Sequence, residues 1–410
     1  MGAALAYLVS RYPAVSHTFI LREVLALRAL GLRVEVASIN PPDRAPQAMG
    51  SDERAEAQNT YTLKQHGVAG GLAALAWALR RHPRGLLAAC GEALRSGQGL
   101  GRLRALAYAV EAAMVARWMA RRDLHHLHVH FGNAAALVGM LVKTLSGAGL
   151  SLTIHGPDEF DDVYGQRLVN KVAAADGVVC ISQSVRSQLM RLSSPRHWGK
   201  LRLCHLGVDP ERYQPSTSRR RPGPPRLLCI GRLTPAKGQL LLLRACAELQ
   251  RKGLDFELII VGDGPDRQGL QHSARLLQLQ PRVRFTGALN QAQVRAELED
   301  ADAFVLPSLA EGIPVVLMEA MACGLPCLSS PVNGIPELIE HERDGLLATP
   351  GDTQALAAQL ARLISDAALR GKLAEQGRAK VLRQFDLRRN TAQLASFFSS
   401  LPAVEEGRAA

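Results

Sequence analysis

Short apolar runs and helix-period segments take turns along this chain almost from one end to the other. The first run, Ala3 to Ser10, gives way to a polar loop, RYPAVSHTF, and then to ILREVLALRAL. Apolar residues there recur at helical spacing until Gly31. A second apolar run, Leu32 to Ile39, follows at once. Strand, helix, strand in that order is a βαβ unit and predicts a parallel sheet. The alternation returns at Leu150 to Ile154, Gly177 to Ile181 and Leu201 to Leu206. It returns again at Leu227 to Ile230, Ile259 to Val261, Val283 to Thr286 and Ala303 to Leu306. Two stretches break it. Residues 40–62 are polar and Pro-rich at the start, which predicts a mobile loop. Gly70 to Arg122 reads as two or three helices punctuated by Pro83 and by Gly97 to Gly101. Asp352 to Ser400 reads as closing helices, and 401–410 as a frayed tail.

A chain of 410 residues exceeds what one hydrophobic core usually serves, so two domains are expected. They are placed at 1–206 and 226–385, joined by a linker over 207–225 that is rich in Pro, Arg and Ser from 210. A C-terminal helix and tail over 386–410 complete the division. Apolar residues at 47% and charged residues at 21% describe an ordinary water-soluble chain. No apolar run reaches the ~20 residues of a membrane helix. The apolar start, Ala3 to Val9, lacks a charged leader and reads as a strand.

Charge is distributed unevenly. Residues 1–206 carry 24 Lys+Arg against 14 Asp+Glu, a net of +10, while the remainder carries 25 against 23. Such asymmetry points the N-terminal half toward an anionic surface. Lipid is preferred over nucleic acid, because the basic residues of 64–122 sit among Leu, Ala and Trp in helix-like segments. Aromatics at 4% also argue against a stacking platform for single strands. Trp77 and Trp118 belong either to core packing or to an interfacial face beside a lipid. The seven scattered cysteines fit reduced thiols in a cytoplasmic protein, and Cys323 with Cys327 lacks the histidines of a zinc site.

Chemistry gathers at the ends of the predicted strands, where ligands sit in open α/β sheets. After Ala303 to Leu306 come Glu311 and Glu319, with seven residues between them. Pro314 suits the first position of a helix starting near Ile313 and running through VVLMEAMA until Gly324 stops it. Glu311 then lies at the helix entrance and Glu319 about two turns along. Carboxylates accept from hydroxyls while a helix start faces phosphate, so the pair suits a polyhydroxylated, anionic ligand. After Leu227 to Ile230, Arg232 and Lys237 stand at another helix entrance and suit a diphosphate. His155 and Gly156 close the strand Leu150 to Ile154, with Asp158 beside them either to orient His155 or to meet a second substrate. Ser16 is a candidate helix cap, with His17 next to it where a ligand would lie. His126, His128 and His130 alternate on one strand face. Metal binding there is disfavoured because no carboxylate or Cys is interleaved. Gly262 to Gly264 is no dinucleotide fingerprint, since the third glycine is missing.

Glu311, seven residues, Glu319, then Ala320-Met321-Ala322, Gly324, Pro326 and Gly334 to Glu337 resemble the E-x7-E signature of the retaining glycosyltransferase family 4. Gly231-Arg232 through Lys237-Gly238, and His155-Gly156 with Asp158, are similar to that family's G-R-x-x-x-x-K-G and H-G-x-D. The segments YPAVSHTFI, HVHFG and HGPDEFD resemble its bacterial exopolysaccharide branch, including colanic-acid-type enzymes. Leu206 stands where the family has Asn before Gly207-Val208-Asp209, and the glycine pair often found in the first loop is absent.

The resemblance implies a GT-B architecture: two doubly wound Rossmann-like α/β domains facing a cleft, with the last helix crossing back. It implies transfer of a hexose from a UDP- or GDP-linked sugar without a metal or other cofactor. Arg232 and Lys237 would hold the diphosphate, Glu319 the ribose, and Glu311 the sugar hydroxyls. Gly312, Ile313 and Val315 would offer main-chain contacts, Gly287 and Leu289 would lie near the base, and His155 would stand against the sugar. Ser16, His17 and Asp158 would face the acceptor, a saccharide or lipid-linked oligosaccharide. The expected location is the inner face of the cytoplasmic membrane, with no nucleic-acid partner. A sugar-nucleotide epimerase or a non-catalytic nucleotide-sugar-binding module would share the architecture.

Overall fold

The computed structural model describes residues 4–96, 101–216 and 223–402, without the side chains of Arg102 and Leu103. Ala3, Gly97 to Leu100, the centre of the expected linker (217–222) and most of the expected tail (403–410) lie outside the described residues. The chain divides into two compact units: one runs to His205 and takes in the chain from Thr391, and the other is Leu206–Asn390.

Unit 1 begins β1 (Ala4–Arg11), α1 (Thr18–Ala29), β2 (Arg33–Asn40), α2 (Ser51–Asn59) and β3 (Tyr61–Thr62). Three helices follow, α3 (Gly67–Arg81), α4 (Pro83–Ser96) and α5 (Arg102–Arg121). Then come β4 (His126–His130), α6 (Ala134–Ser146), β5 (Gly149–Ile154) and α7 (Leu168–Ala174), and finally β6 (Gly177–Cys180), α8 (Gln183–Leu192) and β7 (Leu201–Leu203). The strands form one parallel sheet in the order β3-β2-β1-β4-β5-β6-β7, so the direction of winding reverses between β1 and β4. Leu5 to Val9 of β1 are buried, as strands covered on both faces must be. Ile20, Leu21, Val24 and Leu27 of α1 pack on that core.

Unit 2 runs β8 (Arg226–Ile230), α9 (Gln239–Arg251), β9 (Glu257–Val261), α10 (Arg267–Leu276), β10 (Val283–Gly287) and α11 (Gln291–Glu299). It continues β11 (Ala303–Leu306), α12 (Val315–Ala322), β12 (Cys327–Ser329), α13 (Ile335–Leu338) and β13 (Leu346–Leu347). Helices α14 (Thr353–Ser365) and α15 (Ala367–Gln384) close it. Its parallel sheet has the order β10-β9-β8-β11-β12-β13 and reverses between β8 and β11. A last helix, α16 (Leu387–Ser399), starts in unit 2 and ends in unit 1. There Leu394, Phe397 and Phe398 join the core of β1 and α1.

Three expectations need correction. Residues 46–62 are not a loop: a 3-10 turn (Pro46–Ala48), α2 and β3 occupy them. α2 is polar all round, yet it is fastened by its acids. Glu53 caps its start by accepting from Gly50 N at 2.9 Å and pairs with Arg44, while Glu56 accepts from the buried Tyr12 hydroxyl at 3.0 Å and pairs with Arg28. Ser16 does not cap α1. A 3-10 turn over Val15–His17 comes first, held by His17 N to Ala14 O at 3.0 Å and by Val15 N to Asp43 Oδ2 at 2.9 Å. Helix α12 starts at Val315 with Pro314 as its extended N-cap, two residues later than expected, so Glu319 stands just over one turn in.

Trp118 is a core residue, 6% exposed and stacked on Tyr61 with ring centroids 5.6 Å apart. All seven cysteines are free thiols; burial pushes Cys180, Cys204 and Cys229 up to about 12, so those thiols keep their protons. Among the described residues no helix is long and apolar enough to cross a membrane.

Candidate active site

In unit 2 the winding reverses between β8 and β11, the place where a sheet of this kind opens a crevice for ligands. The loop leaving β8 carries Arg232 and Lys237, and the loop leaving β11 carries Glu311. Main chain fastens the two loops, Leu309 N donating to Ala236 O at 2.7 Å. Gly238 has φ +68° and lies so close to the Pro307 carbonyl that a Cβ would collide with it. The approach brings Lys237 Nζ to 2.6 Å from Glu311 Oε1. Ser308 Oγ donates to the same oxygen at 2.8 Å. Glu311 is buried and Lys237 half-buried. With both donors on Oε1, Oε2 is the acceptor left for a ligand hydroxyl among the described residues. Ser308 went unnoticed in the sequence because one serine after a strand carries no signal.

Gly334 presses on the same turn. Its N–H donates to Gly312 O at 3.1 Å, and a Cβ there would meet that carbonyl. The Gly334 to Glu337 motif therefore has a local reason: it clamps the turn that presents Glu311 and Gly312. Ile313 and Glu319 are buried, and Val315 is half-buried. Arg232 is exposed, with no ion-pair partner among the described residues; its carbonyl accepts from Gln239 Nε2 at 3.0 Å. Gly287, at φ +77°, ends β10, accepts from Gly262 N at 2.9 Å and lies beside the Arg267 guanidinium; Leu289 is half-buried just beyond it.

Unit 1 gathers a different set of groups near its own reversal. His130 ends β4, and His155 follows β5, the neighbouring strand. His130 Nδ1 lies 3.0 Å from His155 Nε2, and His130 Nε2 lies 3.1 Å from Glu23 Oε1 on α1. Tyr7 Oη donates to that same oxygen at 2.8 Å. Burial holds His155 well below the usual imidazole range. Its ring packs against Phe131 and Phe19, with centroids 4.4 and 4.9 Å away.

The main chain at His155 is held by Glu159, not by Asp158. Glu159 Oε2 accepts from His155 N at 2.5 Å and from Gly156 N at 2.9 Å, and Oε1 accepts from Gly132 N. Asp158 is exposed, one position too early in the turn Pro157–Glu159 to reach these amides. Burial pushes the Glu159 carboxyl up to about 7 against the pull of its three amides. Burial likewise brings Lys171 down to about 7, while its Nζ donates to Gly132 O at 2.7 Å and Asn133 O at 2.8 Å. Ser16 is exposed, and His17 packs on Phe131 at 4.9 Å.

The sequence showed three alternating histidines without a carboxylate; the fold supplies one. Ligand atoms of Glu23, His128 and His130 lie within 4.8 Å of one another. They are already engaged by protein groups. His128 Nδ1 meets Ser151 Oγ at 2.8 Å and its Nε2 meets Thr153 Oγ1 at 2.9 Å, while His130 joins Glu23 to His155. The cluster is a hydrogen-bonded network whose buried polar atoms are satisfied by one another.

Two open parallel sheets, each reversing its winding at a central strand, match the fold of known GT-B enzymes. Sucrose-phosphate synthase from Thermosynechococcus elongatus superposes with a TM-score of 0.75, at 19% identity over 97% of this chain and 98% of its own. Anabaena HepE in complex with UDP and glucose does so with a TM-score of 0.75, at 20% identity over 97% and 100%. Residues 17–212 match the family described as Glycosyltransferase Family 4, and residues 213–380 that described as Glycosyl transferases group 1. The chain belongs to the family 4 glycosyltransferases. AmsK of Erwinia amylovora, named as an amylovoran biosynthesis glycosyltransferase, is 32% identical over 97% of this chain and 99% of its own. WcaL of Escherichia coli K12, named for colanic acid biosynthesis, is 29% identical over 96% and 99%.

Proposed function

We propose that this protein is a retaining, metal-independent hexosyltransferase. It takes a sugar from a UDP- or GDP-linked donor and passes it to a saccharide acceptor carried on a lipid, in exopolysaccharide or cell-surface glycan synthesis. The observation that carries the reading is the Lys237–Glu311 pair at the β8/β11 reversal, joining a phosphate-binding cation to a hydroxyl-binding carboxylate. Unit 2 grips the donor. Lys237 keeps two of its three N–H donors for phosphate while the third fixes Glu311. Arg232, on the same loop, adds a second cation, so the departing diphosphate gains positive charge as its bond to the sugar breaks. Glu319 takes the ribose hydroxyls. Unit 1 handles the acceptor, with His155 against the transferred sugar. The acceptor hydroxyl loses its proton to the leaving phosphate on the same face, which retains the configuration at the anomeric carbon. Names of relatives support the pathway: AmsK is named for amylovoran and WcaL for colanic acid.

A lipid-borne acceptor agrees with the surface of α3, α4 and α5. Val68, Leu72 and Leu79 repeat along one stripe of α3 and are 63–79% exposed, and Leu87 of α4 is 74% exposed. Arg80, Arg81, Arg84 and Arg104 are exposed on the same helices. An apolar stripe among cations suits the anionic inner face of the cytoplasmic membrane.

A panel of UDP- and GDP-sugars, scored by thermal stabilisation and by hydrolysis, tests the donor. One nucleotide series should stabilise the wild-type protein, and Glu311→Gln should abolish turnover while the fold persists. Full activity in Glu311→Gln removes the assignment. Turnover of the nucleotide sugar to an epimer without acceptor would favour the epimerase reading.

A further inference from the structure

The buried chain Tyr7, Glu23, His130, His155 has an order imposed by its donors and acceptors. Glu23 is 7% exposed, His130 0% and His155 8%, so water supplies few alternatives. The Tyr7 hydroxyl keeps its proton, since burial and the Glu23 charge raise it well above the ordinary value, and it donates to Glu23. A carboxylate has only acceptors, so the ring nitrogen of His130 that meets it, Nε2, must carry hydrogen. In a neutral imidazole the other nitrogen then has a lone pair. When His130 is neutral, its Nδ1 accepts from His155 Nε2, which then carries hydrogen in turn, whereas a doubly protonated His130 would donate at both nitrogens and reverse the His155 tautomer. What remains on His155 is Nδ1, a lone pair with no partner among the described residues. Glu159 fixes the main chain of the same residue at His155 N and Gly156 N.

We infer that Glu23 and a neutral His130 are positioning residues that lock His155 in its Nε2–H tautomer, so that His155 meets a sugar hydroxyl as a hydrogen-bond acceptor through Nδ1. This rests on the reading that His155 faces the transferred sugar. The cluster's alternative use, as a metal site, would require His128 and His130 to give up the hydroxyl, carboxylate and histidine partners they already hold. The tautomer matters because a hydroxyl bonded to Nδ1 is held by its proton, which turns its oxygen lone pairs away from the ring. An Nδ1–H ring would hold the same hydroxyl the opposite way round.

Histidine ring nitrogen NMR on the full-length, ¹⁵N-histidine-labelled protein tests the lock without any variant. His155, assigned by its loss in His155→Ala, should show protonated Nε2 and bare Nδ1 at pH 7.5. An Nδ1–H or doubly protonated ring overturns the inference. His130→Leu breaks the chain and should mix the two tautomers, lower kcat on the order of tenfold or more, and leave nucleotide affinity in unit 2 unchanged. Should His130→Leu fail to fold, Glu23→Gln replaces it. Its neutral amide holds the His130 hydrogen more weakly, so the minor His155 tautomer should appear and kcat should fall with KM little changed. Unaltered tautomers in the folded variant overturn the lock. If the NMR result holds but His155→Ala retains full transfer, the lock stands and the placement of His155 against the sugar fails.

Discussion

Acidification should weaken unit 1 along a slope set by its buried histidines. Burial lowers His126 to about 4 and holds His128 and His155 well below the ordinary 6.5. All three are neutral in the folded unit near pH 5.5, whereas in the unfolded chain they titrate near ~6.5. Unfolding thus takes up three protons there. Glu159 works the other way. Its carboxyl, pushed up to about 7, is protonated in the fold and ionised in the unfolded chain at that pH, so unfolding releases one. The difference is two protons taken up, and each contributes ~1.4 kcal/mol per pH unit, so stability should fall by ~2.7 kcal/mol per unit between roughly pH 6 and 5. His17 and His82, lowered by burial, add in the same direction, while Glu111, raised by burial, opposes them. The effect is a large share of the ~5–15 kcal/mol that stabilises a typical domain. Trp77, Trp118 and Trp198 all belong to unit 1, so tryptophan fluorescence in urea reads this unit by itself. A urea midpoint that stays flat, or rises, as the pH goes from 7 to 5 would show that these imidazoles are not neutral and buried.

Gly238→Ala should destabilise unit 2 by ~2 kcal/mol or more, since φ +68° is costly for alanine and its Cβ meets the Pro307 carbonyl. Calorimetry reads the loss, and nucleotide affinity should drop with it because Lys237 adjoins the displaced residue. Lys171→Met should cost ~2–4 kcal/mol in urea melts of unit 1, because the Gly132 and Asn133 carbonyls lose their buried donor. Replacing Leu72, Leu79 and Leu87 with Ser should weaken flotation with anionic liposomes severalfold while solution turnover on a soluble acceptor is unchanged. Changing Arg80 and Arg81 to Ala should weaken it chiefly at low salt, and wild-type flotation in both variants would remove the membrane role.

The strands and most helices were legible because burial on two faces writes an unbroken apolar run, and a strand end announces where a ligand site can lie. The placement of Lys237 near Glu311 was half legible. Each stood after a predicted strand, but only the sheet order makes β8 and β11 neighbours. α2 was misread because a helix secured by Glu53 and Glu56 shows no apolar stripe, and its buried acids look like surface charge. Glu23 and Glu159 escaped for the same reason. The sequence displayed His126, His128 and His130 openly, yet their partners come from α1, from β5 and from the residue that follows β5, 23 or more residues away for the Ser151, Thr153, His155 and Glu23 bonds.

The route of α16 bears on how the protein is made. Phe398 stands edge-on to Tyr7 and to His128, with centroids 6.2 and 4.9 Å away, so the last helix covers part of the core begun by the first strand. A ribosome that has completed residues 1–205 has therefore released a sheet with its aromatic lid still unsynthesised. Every residue of unit 2 has been made by Asn390, whereas the core of unit 1 gains Leu394, Phe397 and Phe398 only with the last helix.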